Sequence, residues 1–299
     1  MPSNSLTEPD AVRLLGRLLG AGDADAARTE LAPLEPAAVE TLVRVARAHG
    51  VEAWLARWAP SSTDAWEPLA QQRLRFAAAS VRQLGRLREL DAIFAGVDCP
   101  WAVLKGRAVA EDVYPRPDMR NSVDVDALVP PERLGDVLAG LEAHGWSLLD
   151  RNWPFMAEVV PGELRVQAPS GDLLDLHWHL VSSPARRRWV RLPTAELLAR
   201  RRQLPSGLPA LHPIDQLLHL VLHGASSGGN RMMWLLDVEL SARRVESWPD
   251  VAAAAKASGT ENSLVLMLMR AGHVLGTSPR RSGGTSASTS TLLRMSGRG

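Results

Sequence analysis

Apolar residues between positions 9 and about 95 recur every three to four places, the spacing that lines one face of a helix. Leu14, Leu15, Leu18 and Leu19 follow Pro9 and Asp10, so a helix is expected to start at one of those two. The run PAAVETLVRVARAHG closes at Gly50, a residue that ends helices because left-handed backbone costs it nothing sterically. WEPLAQQRLRFAAASVRQLGRLRELDAIFAG sets Leu74, Val81, Leu84, Leu87 and Ile93 among arginines, as one long amphipathic helix does.

The pattern changes at 100. Trp101 to Leu104 is short, apolar and ends at Lys105-Gly106, which predicts a strand running into a glycine turn. Residues 107–113 read as a short helix stopped by Pro115 and Pro117, since a proline disfavours helix in the residue before it. Residues 122–129 alternate and are rich in valine, which predicts a second strand. ERLGDVLAGLEAHG follows Pro130-Pro131 as a helix closed at Gly145. Three further strands are expected at 146–149, at 157–167 with a turn at Pro161-Gly162, and at 172–180 after the Ser170-Gly171 turn. Strand, helix, strand, helix, strands is the order of an α+β unit with a mixed sheet.

Helices return from 193. IDQLLHLVLHGA begins at His212-Pro213, another runs from Met232 to about 245, and one or two more fill 249–275. The remainder is rich in Gly, Ser and Thr and is expected to be disordered, because it buries too little apolar surface to offset chain entropy. The organisation expected is a helical region at 1–95, an α+β core at 96–185, a second helical region at 186–275 and a tail at 276–299.

Composition narrows the class. The hydrophobic share of 45% and charged share of 22% are those of a soluble globular protein. A net charge of +1 gives no global field towards nucleic acid or an anionic membrane. One cysteine, Cys99, excludes an internal disulfide framework and a cysteine-rich zinc site, and fits a reducing cytoplasm. MPSNSLTEPD lacks a basic stretch followed by an apolar run, so no secretory leader is expected. No apolar stretch approaches the ~20 residues of a membrane span. Lysine occurs twice, at Lys105 and Lys256, and the other 32 of the 34 basic residues are arginine.

The chemistry concentrates in the second strand. Side chains of a strand alternate faces, so Val123, Val125, Ala127 and Val129 share one face and Asp124 and Asp126 the other. Two carboxylates on a mostly buried element repel and lose hydration, at a cost of roughly several kcal/mol unless a cation or donors compensate. Mg²⁺ compensates directly, since it takes carboxylates and phosphates as ligands; a solvated strand end would also do so. In the last strand Leu173, Asp175 and His177 face one way, and Leu174, Leu176 and Trp178 the other. A third carboxylate at Asp175 would complete a two-metal site and draw a proton from an attacking hydroxyl; pairing with an arginine is the structural reading.

The order VLKG-RAVAEDVYP (103–115), Arg120, DVDALV (124–129) and LDLHW (174–178) resembles the uncharacterised nucleotidyltransferase family of the DNA polymerase beta-like superfamily, over roughly residues 70 to 245. The resemblance implies a five-stranded type of mixed sheet flanked by helices. It implies that Gly106 makes the turn, that Asp124 and Asp126 bind metal, and that Asp175 is the third carboxylate. The reaction implied moves a nucleoside monophosphate from an NTP to an acceptor, with Mg²⁺ or Mn²⁺ as cofactor. Many superfamily members carry a small hydroxyl residue after the turn glycine, where this chain has Arg107. Lys105, Gly106, Arg107 and Arg120 form the expected phosphate-binding set; Arg120 clamps a phosphate or pairs with Asp124 or Asp118. The acceptor stays open among small molecule, peptide, protein and RNA.

Two other classes are readable. Loss of catalysis with retention of the fold would leave a binding or adaptor protein for a partner. A His/Asp metal-dependent hydrolase would draw on His177 and His179, and on His219 and His223, which share a helix face, together with Asp124 and Asp126; the simpler reading has His177 orienting Asp175 or hydrogen-bonding at the sheet edge, and His219 and His223 lining a helix interface. Trp153 is a candidate stacking surface for an aromatic ring. The arginine clusters at 186–191 and 200–203 read as solvated faces, with RNA as the functional alternative.

Overall fold

The computed structural model describes residues 6–60, 64–120, 122, 124–149, 152–155, 162–181 and 184–277. The first helices are α1 (Glu8–Ala21), α2 (Ala24–Leu31), α3 (Pro36–Ala48), α4 (Glu52–Trp58) and the thirty-residue α5 (Glu67–Gly96). α1 starts at Thr7, whose side chain accepts the Asp10 amide, and ends at left-handed Gly22. Both ends thereby satisfy backbone groups that a helix terminus leaves open.

The chain continues through β1 (Ala102–Val103), α6 (Arg107–Val113), β2 (Val125–Leu128), α7 (Leu134–Ala143), β3 (Ser147–Leu148), β4 (Glu163–Gln167), β5 (Leu173–His177), α8 (Thr194–Ala199), β6 (Arg202–Gln203), β7 (Pro209–Ala210), α9 (Pro213–Ser226), α10 (Met232–Ala242), α11 (Trp248–Ser258) and α12 (Glu261–Leu275). Among the described residues the sheet has seven strands in the order β3-β4-β5-β2-β1-β7-β6. β2 runs parallel to β5 and β1 parallel to β7, while the other neighbours are antiparallel. This is the mixed α+β sheet expected, with more strands than the five the resemblance implies. β6 and β7 form a hairpin closed by Gly207, whose amide bonds the Leu204 carbonyl at 2.9 Å. Strands of two residues carry no readable period, which is why this segment read as helical.

The strands are also shorter than their sequence runs. β2 begins at Val125, so Asp124 sits at its mouth, and Val123 lies outside the described residues. β4 begins at Glu163; positions 156–161, the expected first half of that strand, are outside the described residues, as is the tail from 278. No helix among the described residues is long and apolar enough to cross a membrane.

Alternation in β2 and β5 sorts the core. Val125, Ala127 and Val129 join Leu174, Leu176 and Trp178 against Leu87, Leu90 and Phe94 of α5 and Val137, Leu138 and Leu141 of α7. Leu128 faces the other way, with Ala102, Leu104, Leu197, Leu198 and Leu222. α5 departs from expectation in its middle. Leu74 and Val81 are exposed, and no residue between Leu69 and Leu87 is buried, because only the last turns lie on the sheet.

A second core joins the two ends of the chain, with Leu15, Leu42, Trp54 and Trp58 packed among Leu217, Leu235 and Met267. α1 approaches α12 through Gly16 and Gly20: a Cβ on Gly16 would stand 2.1 Å from the Val274 carbonyl oxygen, and one on Gly20 1.9 Å from that of Leu275. Only residues without a Cβ permit that approach. α10 is tied to the core by a buried cluster. Asp237 accepts from Arg120 Nε and Nη2, at 2.9 and 2.7 Å, and from the Tyr114 hydroxyl at 2.7 Å.

Removing one partner of a buried ion pair strands the other charge, at about 3–5 kcal/mol. Asp237→Ala is therefore expected to lower the urea-unfolding free energy by that amount. An Arg120→Leu/Asp237→Leu double substitution is expected to recover part of it; a loss under about 1 kcal/mol in the single variant would contradict this account.

Candidate active site

The site begins where β1 ends. Gly106 holds φ 58° and ψ −113°, a backbone region that a side chain makes costly. A Cβ there would also lie 3.0 Å from Ser122 Oγ. The turn leads straight into α6 and leaves Lys105 pointing at β2, with Nζ 2.7 Å from Asp126 Oδ1.

β2 and β5 supply the carboxylates. Their parallel register sets Asp126 directly across from Asp175. Asp124 stands two residues before Asp126, its carbonyl held by Gln83 Nε2 of α5 at 3.2 Å and by Ser122 Oγ at 3.1 Å. One oxygen from each of Asp124, Asp126 and Asp175 lies within 4.8 Å of the others. Asp126 is 2% exposed, and the other two are half-buried.

Each carboxylate has a compensating partner. Asp126 Oδ1 also meets His177 Nε2 at 3.2 Å, and His177 Nδ1 meets Glu163 Oε2 at 3.1 Å. Asp175 accepts from Arg165 Nε at 3.1 Å, its register partner on β4. Burial alone would raise the Asp126 carboxyl, but the His177 hydrogen bond and the Lys105 charge outweigh it and hold it below the usual carboxylate range. Burial would likewise strip the Lys105 proton, and Asp126 outweighs that, so its pKa is raised. Asp175 is pushed above its ordinary value by burial and then by Asp126 and Asp124.

Asp126 Oδ2 is buried without a partner. An uncompensated buried carboxylate oxygen beside two more carboxylates is an oxygen donor set suited to a hard divalent cation. The residues present therefore fit Mg²⁺ or Mn²⁺. Among the described residues this all-aspartate group is the one that could hold a metal ion, and no histidine belongs to it. A narrow cleft lies beside it, lined by Gln83, Lys105, Gly106, Arg107, Asp124 and Asp126, too tight here to take a water molecule.

The other expected residues sit differently. Arg107 is buried in α6, bonded to Glu111 and to Ser80 Oγ at 2.8 Å. Arg120 pairs with Asp237 rather than with Asp124 or Asp118; Asp118 is taken by Arg116. Both guanidinium groups thus hold α5, α6 and α10 around the site. His177 bonds Asp126 instead of orienting Asp175. His179 lies past the end of β5 and is half-buried. His219 is buried with neither ring nitrogen bonded, and His223 packs edge-on to Trp234 with ring centres 5.5 Å apart. Trp153 stands against α7 at Gly135, where a Cβ would lie 3.4 Å from its ring. Arg200 and Arg202 are spent on Asp215 and Asp112, and Arg187 on the Val181 carbonyl.

Ser122, Gln83, Glu163 and Arg165 support the carboxylates without having been singled out in the sequence. The one signal for Arg165 and Glu163 was alternation, which puts both on one face of β4.

A family model described as an uncharacterised nucleotidyltransferase matches residues 35–276. Among solved structures, the solution structure of the antibiotic-resistance factor ANT(2'')-Ia is similar at 14% identity and a TM-score of 0.40, over 65% of this chain and 96% of that one. The crystal structure of ANT(2'')-Ia in complex with adenylyl-2''-tobramycin is similar at 15% identity and a TM-score of 0.36, over 63% and 98%. No curated protein matches the chain.

The histidines on α9 carry a pH signature. Burial pushes His219 well below its ordinary value, with His223 and Lys105 adding to it. Burial and then Lys105 bring His223 down to about 4. A histidine depressed in the folded state takes up a proton on unfolding wherever the pH lies between its folded and unfolded values. Its favourable share of stability is complete above ~6.5 and is lost as pH falls towards about 4. His223→Gln is expected to lose about 1–2 kcal/mol less stability than the native chain between pH 7 and pH 5, by urea unfolding. Equal losses would refute this.

Proposed function

The chain belongs to this nucleotidyltransferase family, and from that premise we propose that it transfers a nucleoside monophosphate from an NTP to an acceptor hydroxyl, using a divalent metal held by Asp124, Asp126 and Asp175. The observation that carries the reading is the convergence of those three carboxylates across the β2–β5 pair, with a buried Asp126 oxygen left unbonded.

The acceptor oxygen attacks the α-phosphorus, the bond to the β-phosphate oxygen breaks, and pyrophosphate leaves. Mg²⁺ or Mn²⁺, when bound, supplies positive charge that stabilises the phosphoryl transition state and acidifies the acceptor hydroxyl. Asp175 takes the acceptor's proton. Its carboxylate stands across the β2–β5 pair from Asp126, placed to receive that proton. Lys105 and the backbone of the Gly106 turn address the phosphates, Lys105 as a point charge. Arg107 and Arg120 act one step back, keeping α5, α6 and α10 in place through Glu111, Ser80 and Asp237. Gln83 and Ser122 fix the backbone of Asp124.

Calorimetric titration of the native chain with ATP, GTP, CTP and UTP is expected to show binding of at least one that requires Mg²⁺, and Asp124→Ala is expected to abolish it. Absence of metal-dependent NTP binding in the native chain would sink the catalytic reading. For whichever NTP binds, Asp175→Asn is expected to weaken its metal-dependent binding less than Asp124→Ala does and to cut pyrophosphate release at saturating NTP and metal by roughly 10²–10⁴, the span of a lost general base.

A further inference from the structure

Lys105 and His177 both approach a single oxygen of Asp126. Nζ lies 2.7 Å and the ring nitrogen 3.2 Å from Oδ1, while Oδ2 has no partner. The Lys105 side chain is 17% exposed, so it is neither a free surface cation nor one aimed into open solvent. It stands where three carboxylates gather within 4.8 Å. The cleft beside them is lined by the same lysine and by Asp124 and Asp126.

We propose that the Lys105 ammonium is the resident counter-ion of this carboxylate cluster and that it leaves Asp126 when a divalent cation binds, becoming free to meet phosphate. The inference rests on the nucleotidyltransferase reading and adds an order of events to it: until the metal site fills, the phosphate-binding lysine is held back. The physical reason is competition. An ammonium in contact with Asp126 and a divalent ion on the same carboxylates repel across a few ångströms in a poorly hydrated site. Lysine can yield, because its charge is compact, its stem carries four flexible carbons, and its three donors rotate. A lysine serving only to orient Asp126 would stay on Oδ1 with the metal bound, and its accessibility would not change.

The chain's two lysines make this measurable. Lys256 is exposed on α11 and serves as an internal reference. Amine-reactive labelling of the native chain, read by mass spectrometry, is expected to modify Lys105 at least about threefold faster with saturating Mg²⁺ and unchanged at Lys256, as an ion pair that opens would require. Unchanged or slower labelling at Lys105 would overturn the proposal. In parallel, Mn²⁺ affinity without nucleotide is measured by electron paramagnetic resonance. Lys105→Met is expected to bind Mn²⁺ roughly tenfold or more tightly than the native chain, the scale on which one adjacent charge acts, and Lys105→Arg is expected not to. Weaker or equal Mn²⁺ binding in Lys105→Met, with an unchanged melting temperature, would also overturn it. Failure of the native chain to bind Mn²⁺ at all would remove the metal-dependent reading itself, an outcome distinct from binding that ignores Lys105.

Discussion

The parallel pairing of β2 with β5 puts Asp126 across from Asp175, and much of the molecule answers to that one juxtaposition. Like charges this close, partly out of water, oppose folding. The surroundings reply oxygen by oxygen: Lys105 and His177 on Asp126 Oδ1, Arg165 on Asp175, Ser122 on Asp124. The reply is incomplete at Asp126 Oδ2. Buried polar atoms are nearly always bonded, and of the carboxylate oxygens of Asp124, Asp126 and Asp175 it is this one that is buried and unbonded, where the proposed chemistry needs a ligand.

The helices serve the same strand mouth. α5 brings Gln83 to the Asp124 carbonyl, Ser80 to Arg107 and its apolar end to the sheet. α10 brings Asp237 to Arg120 and Tyr114, which flank the loop into β2. α12 and α1 close on each other through Gly16 and Gly20. Segments from both ends of the chain thus hold the loop between α6 and β2, although the site residues themselves lie between Lys105 and Asp175. Displacing that loop would move Asp124 relative to Asp126, and a spacing error of about 1 Å is enough to harm a site of this kind.

What could be read from the sequence was whatever has a period or a fixed local rule. Alternation separated Val125 and Ala127 from Asp126, and Leu174 and Leu176 from Asp175, and the structure keeps those faces. Gly106 announced its turn because few residues tolerate its backbone. Partnership between distant charges has no such rule. Arg120 and Asp237 are 117 positions apart, and in a chain with 34 basic and 33 acidic residues the sequence offers many equally good pairings. Leu74 and Val81 matched the helical period yet face water, since periodicity says which residues share a face and not whether anything covers it. The β6–β7 hairpin was too short to show a period at all.

The identity of residue 105 then becomes informative. Across this chain evolution has used arginine for nearly every cation, including those that bridge Asp237, Asp215 and Asp112. Those are permanent ties, and a planar guanidinium with paired donors suits them. A guanidinium at 105 would grip both oxygens of Asp126 and satisfy Oδ2, leaving a better-bonded fold and a poorer metal site. Lysine binds one oxygen, leaves the other bare, and can swing away. The one lysine among the site residues thus stands where a permanent tie would work against the chemistry proposed.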